Sequence, residues 1–372
     1  MPRFHTMPVA LLAVFLLVAG TCVAAVPGPG TARAQMQAPQ AGRFTAQTTR
    51  PSIVDFVAPR RDYVERNRRF TIFTIPGTPE NGGVEYVAPG MDNALWLSQY
   101  YRGDIVELKP DGHGRTIEVP APHYTQGITL GPDGNMWYVT YRSTIGRIAK
   151  DLSVTTYTDT TRDLGFSAIT TGSDGNLWFW SFFTHTMYTA TTAGVISALP
   201  ADTLRLPVIN LTLGPDKNVW FLTFDGAPGN GGDLVGFFPP AGKKFEAHVG
   251  ILNEGWNIIS GPGGLMWFPN PQKRSIDTVD PVTHELDVYS AGISGVPQQV
   301  IEGPDGNVYF TENGCRCGTG GPISAIGVLH DGIAEEYPTP IPFTILGIAV
   351  GSDGNIWFTD RYSNNVGRFA IR

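Results

Sequence analysis

The chain is short of charge. Only 16% of its 372 residues are Asp, Glu, Lys or Arg, and 26 basic residues face 33 acidic ones. From residue 70 onward the imbalance sharpens to 17 basic against 30 acidic. That excludes nucleic acid as a partner, which demands a basic surface, and favours a cation or a neutral or cationic ligand. Long apolar runs are scarce too. The run Val9 to Gly20 behind Arg3 is too short to span a bilayer, and Ala32-Arg33-Ala34 before Gln35 reads as a cleavage site. We therefore expect residues 1–34 to be a secretory signal peptide, a secreted or periplasmic body, and no transmembrane span after cleavage. A second cut lies near Val23-Ala24-Ala25, and Thr21 makes a poor lipobox before Cys22. Residues 35–69, with Arg60, Arg61, Arg66, Arg68 and Arg69, read as a flexible basic arm.

Cysteine is nearly absent: after Cys22 there are only Cys315 and Cys317, flanking Arg316 in a glycine-rich loop. In an exported protein such a pair is expected to form a disulfide; a soft metal pair is the alternative, without a local His-x-His or further cysteine to support it. Also missing are a Gly-x-Ser-x-Gly elbow, a phosphate-binding loop and a dinucleotide fingerprint, so serine hydrolase, kinase and nicotinamide chemistry recede.

Glycine, by contrast, is abundant and ordered. GPDGNMW (131–137), GSDGNLW (172–178) and GSDGNIW (351–357) repeat one phrase, and GMDNALW, GPDKNVW, GPGGLMW and GPDGNVY are weaker copies. The aromatic ends fall at 96, 137, 178, 220, 267, 309 and 357. Steps of that length are one propeller blade, a four-stranded antiparallel sheet of about 40 to 50 residues. Each phrase is a hairpin, its Asp-Gly suited to a turn that needs positive φ. A calcium-loop reading of Asp133, Asp174, Asp305 and Asp353 lacks the further acidic ligands and closing Glu such loops use.

The seventh copy lacks a fourth strand, because the chain stops soon after Val366 to Ile371. Phe70 to Pro76 alternates like an outer strand and has no hairpin partner. Pairing the two would close the ring and remove two sheet edges. The expected fold is thus all-β, a seven-bladed propeller over residues 70–372, and a monomer.

Two rings of positions are expected to meet at the channel mouth. One, eleven residues before each aromatic, reads Glu85, Gln126, Ser167, Ile209, Trp256, Gln298 and Leu346. The other, three residues after it, reads Gln99, Thr140, Ser181, Thr223, Asn270, Glu312 and Asp360, all polar. From these, Glu85, Gln99, Gln126, Thr140, Ser181, Trp256, Asn270 and Gln298 are candidate ligand contacts, and the carboxylates Glu312 and Asp360 on adjacent blades a candidate cation site. A water-filled channel lined by polar side chains is the plainer alternative. Trp256 with Tyr124, Phe166 and Phe182 could form an aromatic platform for a sugar or peptide side chain, though core packing suits the two phenylalanines.

The repeated G-[PS]-D-G-N-[LIMV]-W-F-T, with Ser143-Thr144-Ile145-Gly146-Arg147 and Ser363-Asn364-Asn365-Val366-Gly367-Arg368, resembles the streptogramin (virginiamycin) B lyase family across all seven copies. The resemblance implies a seven-bladed propeller that opens a cyclic depsipeptide without water, using Mg²⁺, histidine and glutamate at the channel mouth. Carried across, it keeps the glutamate at Glu312 and replaces it with Asp360. Its histidine positions hold Gln298 and Leu346, so the proton-abstracting base is lost. His123 and His185, in loops at the same face, are the candidates for a relocated base. Three functions follow as expectations: a binder of a polar small-molecule, peptide or sugar ligand, with a divalent cation as candidate bridge; a magnesium-dependent carbon–oxygen lyase or a lactone or ester hydrolase; or a scaffold for another cell-envelope protein.

Overall fold

The computed structural model describes residues 44–371 apart from 77–82, 121–123, 200–203, 205, 224–232, 240–244, 251–254, 318–322 and 343. The signal segment 1–34, Cys22 and His123 lie outside the described residues.

Seven antiparallel sheets, one per sequence repeat, make up the molecule. Blade 3 shows the plan, running from its innermost strand outward as Phe166–Thr171, Leu177–Ser181, Thr186–Ala190 and Ile196–Ala198. The marker phrase turns the first strand into the second. In four blades an aspartate, Asp133, Asp174, Asp216 or Asp353, accepts the marker indole N–H at 3.0 Å. In blade 6 Asp305 accepts the Tyr309 hydroxyl at 2.8 Å. The aspartates also hold the following asparagine, so their oxygens serve the turn rather than a calcium ion. A Cβ at Gly131 would collide with the Trp137 indole, which explains the first glycine of the phrase.

Marker aromatics build the core. Hydrophobic clusters fill the blade interfaces, Trp137 packing on Phe166 and Phe179 of blade 3, and Trp357 on Val84 and Leu97 of blade 1. The Gly-Arg of the third strand serves the same layer. Gly146 and Gly367 lie opposite Tyr138 and Phe358, whose rings occupy the space a Cβ would take. Arg147 lies 5.9 Å over the Trp137 ring, and Arg368 5.5 Å over Trp357.

Ring closure is as expected from the sequence. Four strands precede blade 1: β1 (Phe44–Thr49), β2 (Ile53–Val57), β3 (Arg60–Glu65) and β4 (Arg68–Thr74). β4 is the outer strand of blade 7, with Phe70 opposite Phe369 and Phe73 opposite Val366.

The arm requires a correction. Described from Phe44 onward, it is not a solvated linker but a belt of fifth strands on three consecutive blades. β1 pairs with Val154–Asp159 of blade 2, β2 with His113–Ile117 of blade 1, and β3 with β4 on blade 7. One aromatic anchors each strand: Phe44 stacks on Phe166, while Phe56 and Tyr63 pack against the clusters at either side of blade 7. The arginine count drew attention to charge, whereas the strands follow from Thr, Val, Ile and aromatic content and from open blade edges that need pairing.

Candidate functional site

A β-bulge at the channel end of the innermost strand shapes the mouth. In blade 1, Val84 pairs with Gln99 and Tyr86 with Ser98, leaving Glu85 as the extra residue. The same irregularity leaves Ile209 and Gln298 unpaired and falls beside Gln126, Ser167 and Leu346. A bulge re-aims a side chain. Here it sets Glu85, Gln126, Ser167 and Ile209 into one cavity, joined by Trp256 from the segment leading to the shortened first strand of blade 5.

That cavity has a volume of about 280 Å³ and is walled chiefly by rings: Tyr86, Tyr100, Tyr101, Tyr124, Tyr141, Phe182, Phe183 and Trp256. Their order comes from a backbone ladder, the Tyr124 N–H donating to Tyr100 O at 2.8 Å and the Tyr141 N–H to Tyr124 O at 3.0 Å. Tyr100 and Tyr124 have ring centroids 5.1 Å apart, and Tyr141 meets Phe183 edge to face at the same separation. Tyr124 holds φ +76°, a conformation costly for a bulky residue outside glycine's range.

Two ion pairs interrupt the aromatic wall, the half-exposed Arg142–Asp163 at 3.5 Å and a deeper one. Arg361 Nε donates to Glu85 Oε1 at 3.0 Å, and the guanidinium lies 5.4 Å over the Trp256 ring. Burial pushes the Glu85 carboxyl above its ordinary range, and Arg361 pulls it back. Burial also pushes the Tyr86 and Tyr100 hydroxyls well up, so they act as neutral donors. The site can therefore stack apolar or aromatic surface and orient a polar group beside a partly buried guanidinium.

The structure brings together Glu85, Gln126 and Trp256 of the candidate ligand contacts. It does not bring in Gln298, whose amide donates to Val296 O at 3.2 Å, nor any of the second ring. Gln99, Thr140, Ser181 and Asn270 are buried and face away from the cavity. Most tie down their own loops: Thr140 accepts the Arg142 N–H, Ser181 accepts from Thr184, and Asn270 donates to Asp277 at 2.7 Å. The missed ring lies one residue on, four after the marker, reading Tyr100, Tyr141, Phe182 and Arg361. Each of these follows the last residue of its second strand, in the turn at the mouth. Of the two phenylalanines expected in the core, Phe166 is there and Phe182 instead lines the cavity. The expected polar mouth is thus corrected to a largely aromatic one. His185 is not part of it; its ring lies 6.5 Å from that of Trp180.

Glu312 and Asp360 have separate partners. Asp360 is committed to the Thr344 and Tyr362 N–H groups and the Ser363 hydroxyl, at 3.2, 3.3 and 2.6 Å. Glu312 instead sits with Glu336, Cys315 and Cys317, their donor atoms all within 4.8 Å of one another. Burial first, and the adjacent Glu336 second, push the Glu312 carboxyl up to about 9. Cys315 and Cys317 are joined as a disulfide. Sulfur is a poor neighbour for Mg²⁺, which takes an octahedron of oxygens, so these residues do not fit that ion.

The comparisons agree with the repeats. A model described as the Virginiamycin B lyase family matches residues 60–229. A catalytically inactive virginiamycin B lyase from Staphylococcus aureus, solved with quinupristin, is similar at 23% identity and TM-score 0.68, covering 82% of this chain and 100% of that one. The structure of YCF48 bound to D1 peptide is similar at 14% identity and TM-score 0.63, covering 85% and 98%. The extracellular domain of a hybrid two-component system from B. thetaiotaomicron matches at 14% identity and TM-score 0.63, covering 84% of this chain and 45% of that one. These likenesses establish the propeller fold. No curated protein matches in sequence.

Proposed function

We propose that this lyase-like propeller is an exported binding protein that holds a neutral or cationic peptide with apolar or aromatic side chains at its mouth. The carrying observation is the cavity itself, eight rings around a part-buried Glu85–Arg361 pair. Rings supply contact area at small entropic cost, and a part-buried ion pair fixes the orientation of a peptide amide or amine. A propeller of the same fold was solved bound to a peptide, the D1 peptide, which favours a peptide over a sugar. The acidic balance of the body favours a ligand without negative charge.

Binding without turnover is the expectation. Among the described residues no histidine lines the cavity, and the positions where the family resemblance places histidine hold Gln298 and Leu346. Elimination needs a base within hydrogen-bond reach of the proton it removes. The test is a thermal-shift screen of cyclic and linear aromatic peptides against oligosaccharides of similar size, with mass spectrometry of each incubated ligand. A peptide should raise the melting temperature and be recovered intact; stabilisation by sugars alone, or recovery of a ring-opened product, would reject this reading.

A further inference from the structure

Beside the disulfide on blade 6, away from the mouth cavity, four groups converge that the binding reading does not use. Glu312 lies fully buried within the strand Val308–Cys315, and its Oε1 has no hydrogen-bond partner. Its Oε2 accepts the Gly295 N–H at 3.1 Å. Glu336, on the outer strand of the blade, is buried too, and its Oε2 lies 3.1 Å from Cys315 Sγ. Ser294 steadies that carboxylate through its hydroxyl at 2.7 Å and through its N–H. The turn between β3 and β4 closes over the group, Arg66 donating to the Glu336 and Cys317 carbonyls. Two carboxylates and two sulfurs within 4.8 Å make a four-donor set.

We propose that reduction of the Cys315–Cys317 disulfide opens a binding site for a zinc-class divalent cation, held by both thiolates, Glu312 and Glu336. The orphaned, buried Glu312 oxygen points to a missing cation, and the sulfurs select a borderline-soft one that accepts four ligands. With a phosphine as reductant the step balances. The S–S bond breaks, phosphine and water become phosphine oxide, and two thiols form. Metal binding then releases the two thiol protons and the proton held by Glu312 to solvent. The disulfide form offers carboxylates without thiolates and should hold the ion weakly. The site would thus exchange one crosslink of the loop for another according to the redox state around it.

Cobalt(II) is the probe, added to the full chain before and after phosphine treatment. The reduced protein should take up one equivalent and show a thiolate-to-cobalt charge-transfer band; the oxidised protein should show none. Zinc should displace the cobalt stoichiometrically. Cys317→Ser, at a half-exposed position, should remove the band, and Glu336→Gln should weaken affinity at least tenfold with the band retained, both judged on variants with the parent's circular dichroism. Reduced protein that binds no cobalt, binds it without a thiolate band, or binds it equally well as Cys317→Ser would overturn the proposal.

Discussion

Lys217 stands where blades 2, 3, 6 and 7 put Gly134, Gly175, Gly306 and Gly354, and it adopts the same left-handed backbone, φ +67° against +70 to +79°. An L side chain pays for that conformation and glycine does not, so Lys217→Gly should stabilise the protein by roughly 0.5–1 kcal/mol, read as a higher denaturant midpoint at constant slope. The turn aspartates give a pH dependence. Burial works to raise Asp174, Asp305 and Asp353, but their indole, hydroxyl and amide donors outweigh it and hold all three below the ordinary carboxylate range. The unfolded chain then binds protons more readily. This contribution is complete above about pH 5 and is lost as pH falls through the lower folded values. Melting temperatures of the parent should drop from about pH 5 to about pH 3, and Asp174→Asn should flatten part of that drop. At the mouth, Arg361→Met leaves Glu85 buried without its partner and should cost about 3–5 kcal/mol, whereas Glu85→Gln with Arg361→Met should cost markedly less. Equal losses in the single and double variants would deny the pair its role.

Strands and their pairing carry the next level of explanation. Blades were legible because each hairpin needs the same turn chemistry, and that chemistry shows as Gly-x-Asp-Gly-Asn in the sequence. β4 was legible because the chain arithmetic left one strand unmatched. The belt β1 to β3 was not, since nothing in the repeat count requires a fifth strand, and Phe44, Phe56 and Tyr63 reveal themselves only against the grooves they fill. The bulge was equally hidden: it adds one residue to the innermost strand, and the extra residue in blade 1 is Glu85, which lines the cavity. A deletion series separates belt from clasp. A chain beginning at Arg60 keeps β4 and should remain a folded ring with a lowered melting temperature, whereas one beginning at Pro76 strips blade 7 of its outer strand, leaves Asn365–Phe369 as an open edge and should lose cooperative unfolding. An unchanged melting curve for the second would contradict closure by β4.

Taken whole, the ring is a rigid frame that places one asymmetric site at its mouth. Seven similar blades could have given seven similar lining residues, yet rings cluster on blades 1 to 3 while Arg361 comes from blade 7 and Trp256 from blade 5. Divergence of a repeated position marks where function has been added to architecture. Calorimetry tests this most directly, titrating the best peptide from the thermal-shift screen into the parent and into Trp256→Ala at several temperatures. The account predicts a negative heat-capacity change in the parent, from ring surface leaving water, and at least a tenfold loss of affinity in the variant with its fold intact. Equal affinity for both proteins, or binding with no heat-capacity change, would contradict the assignment of the aromatic mouth as the functional site.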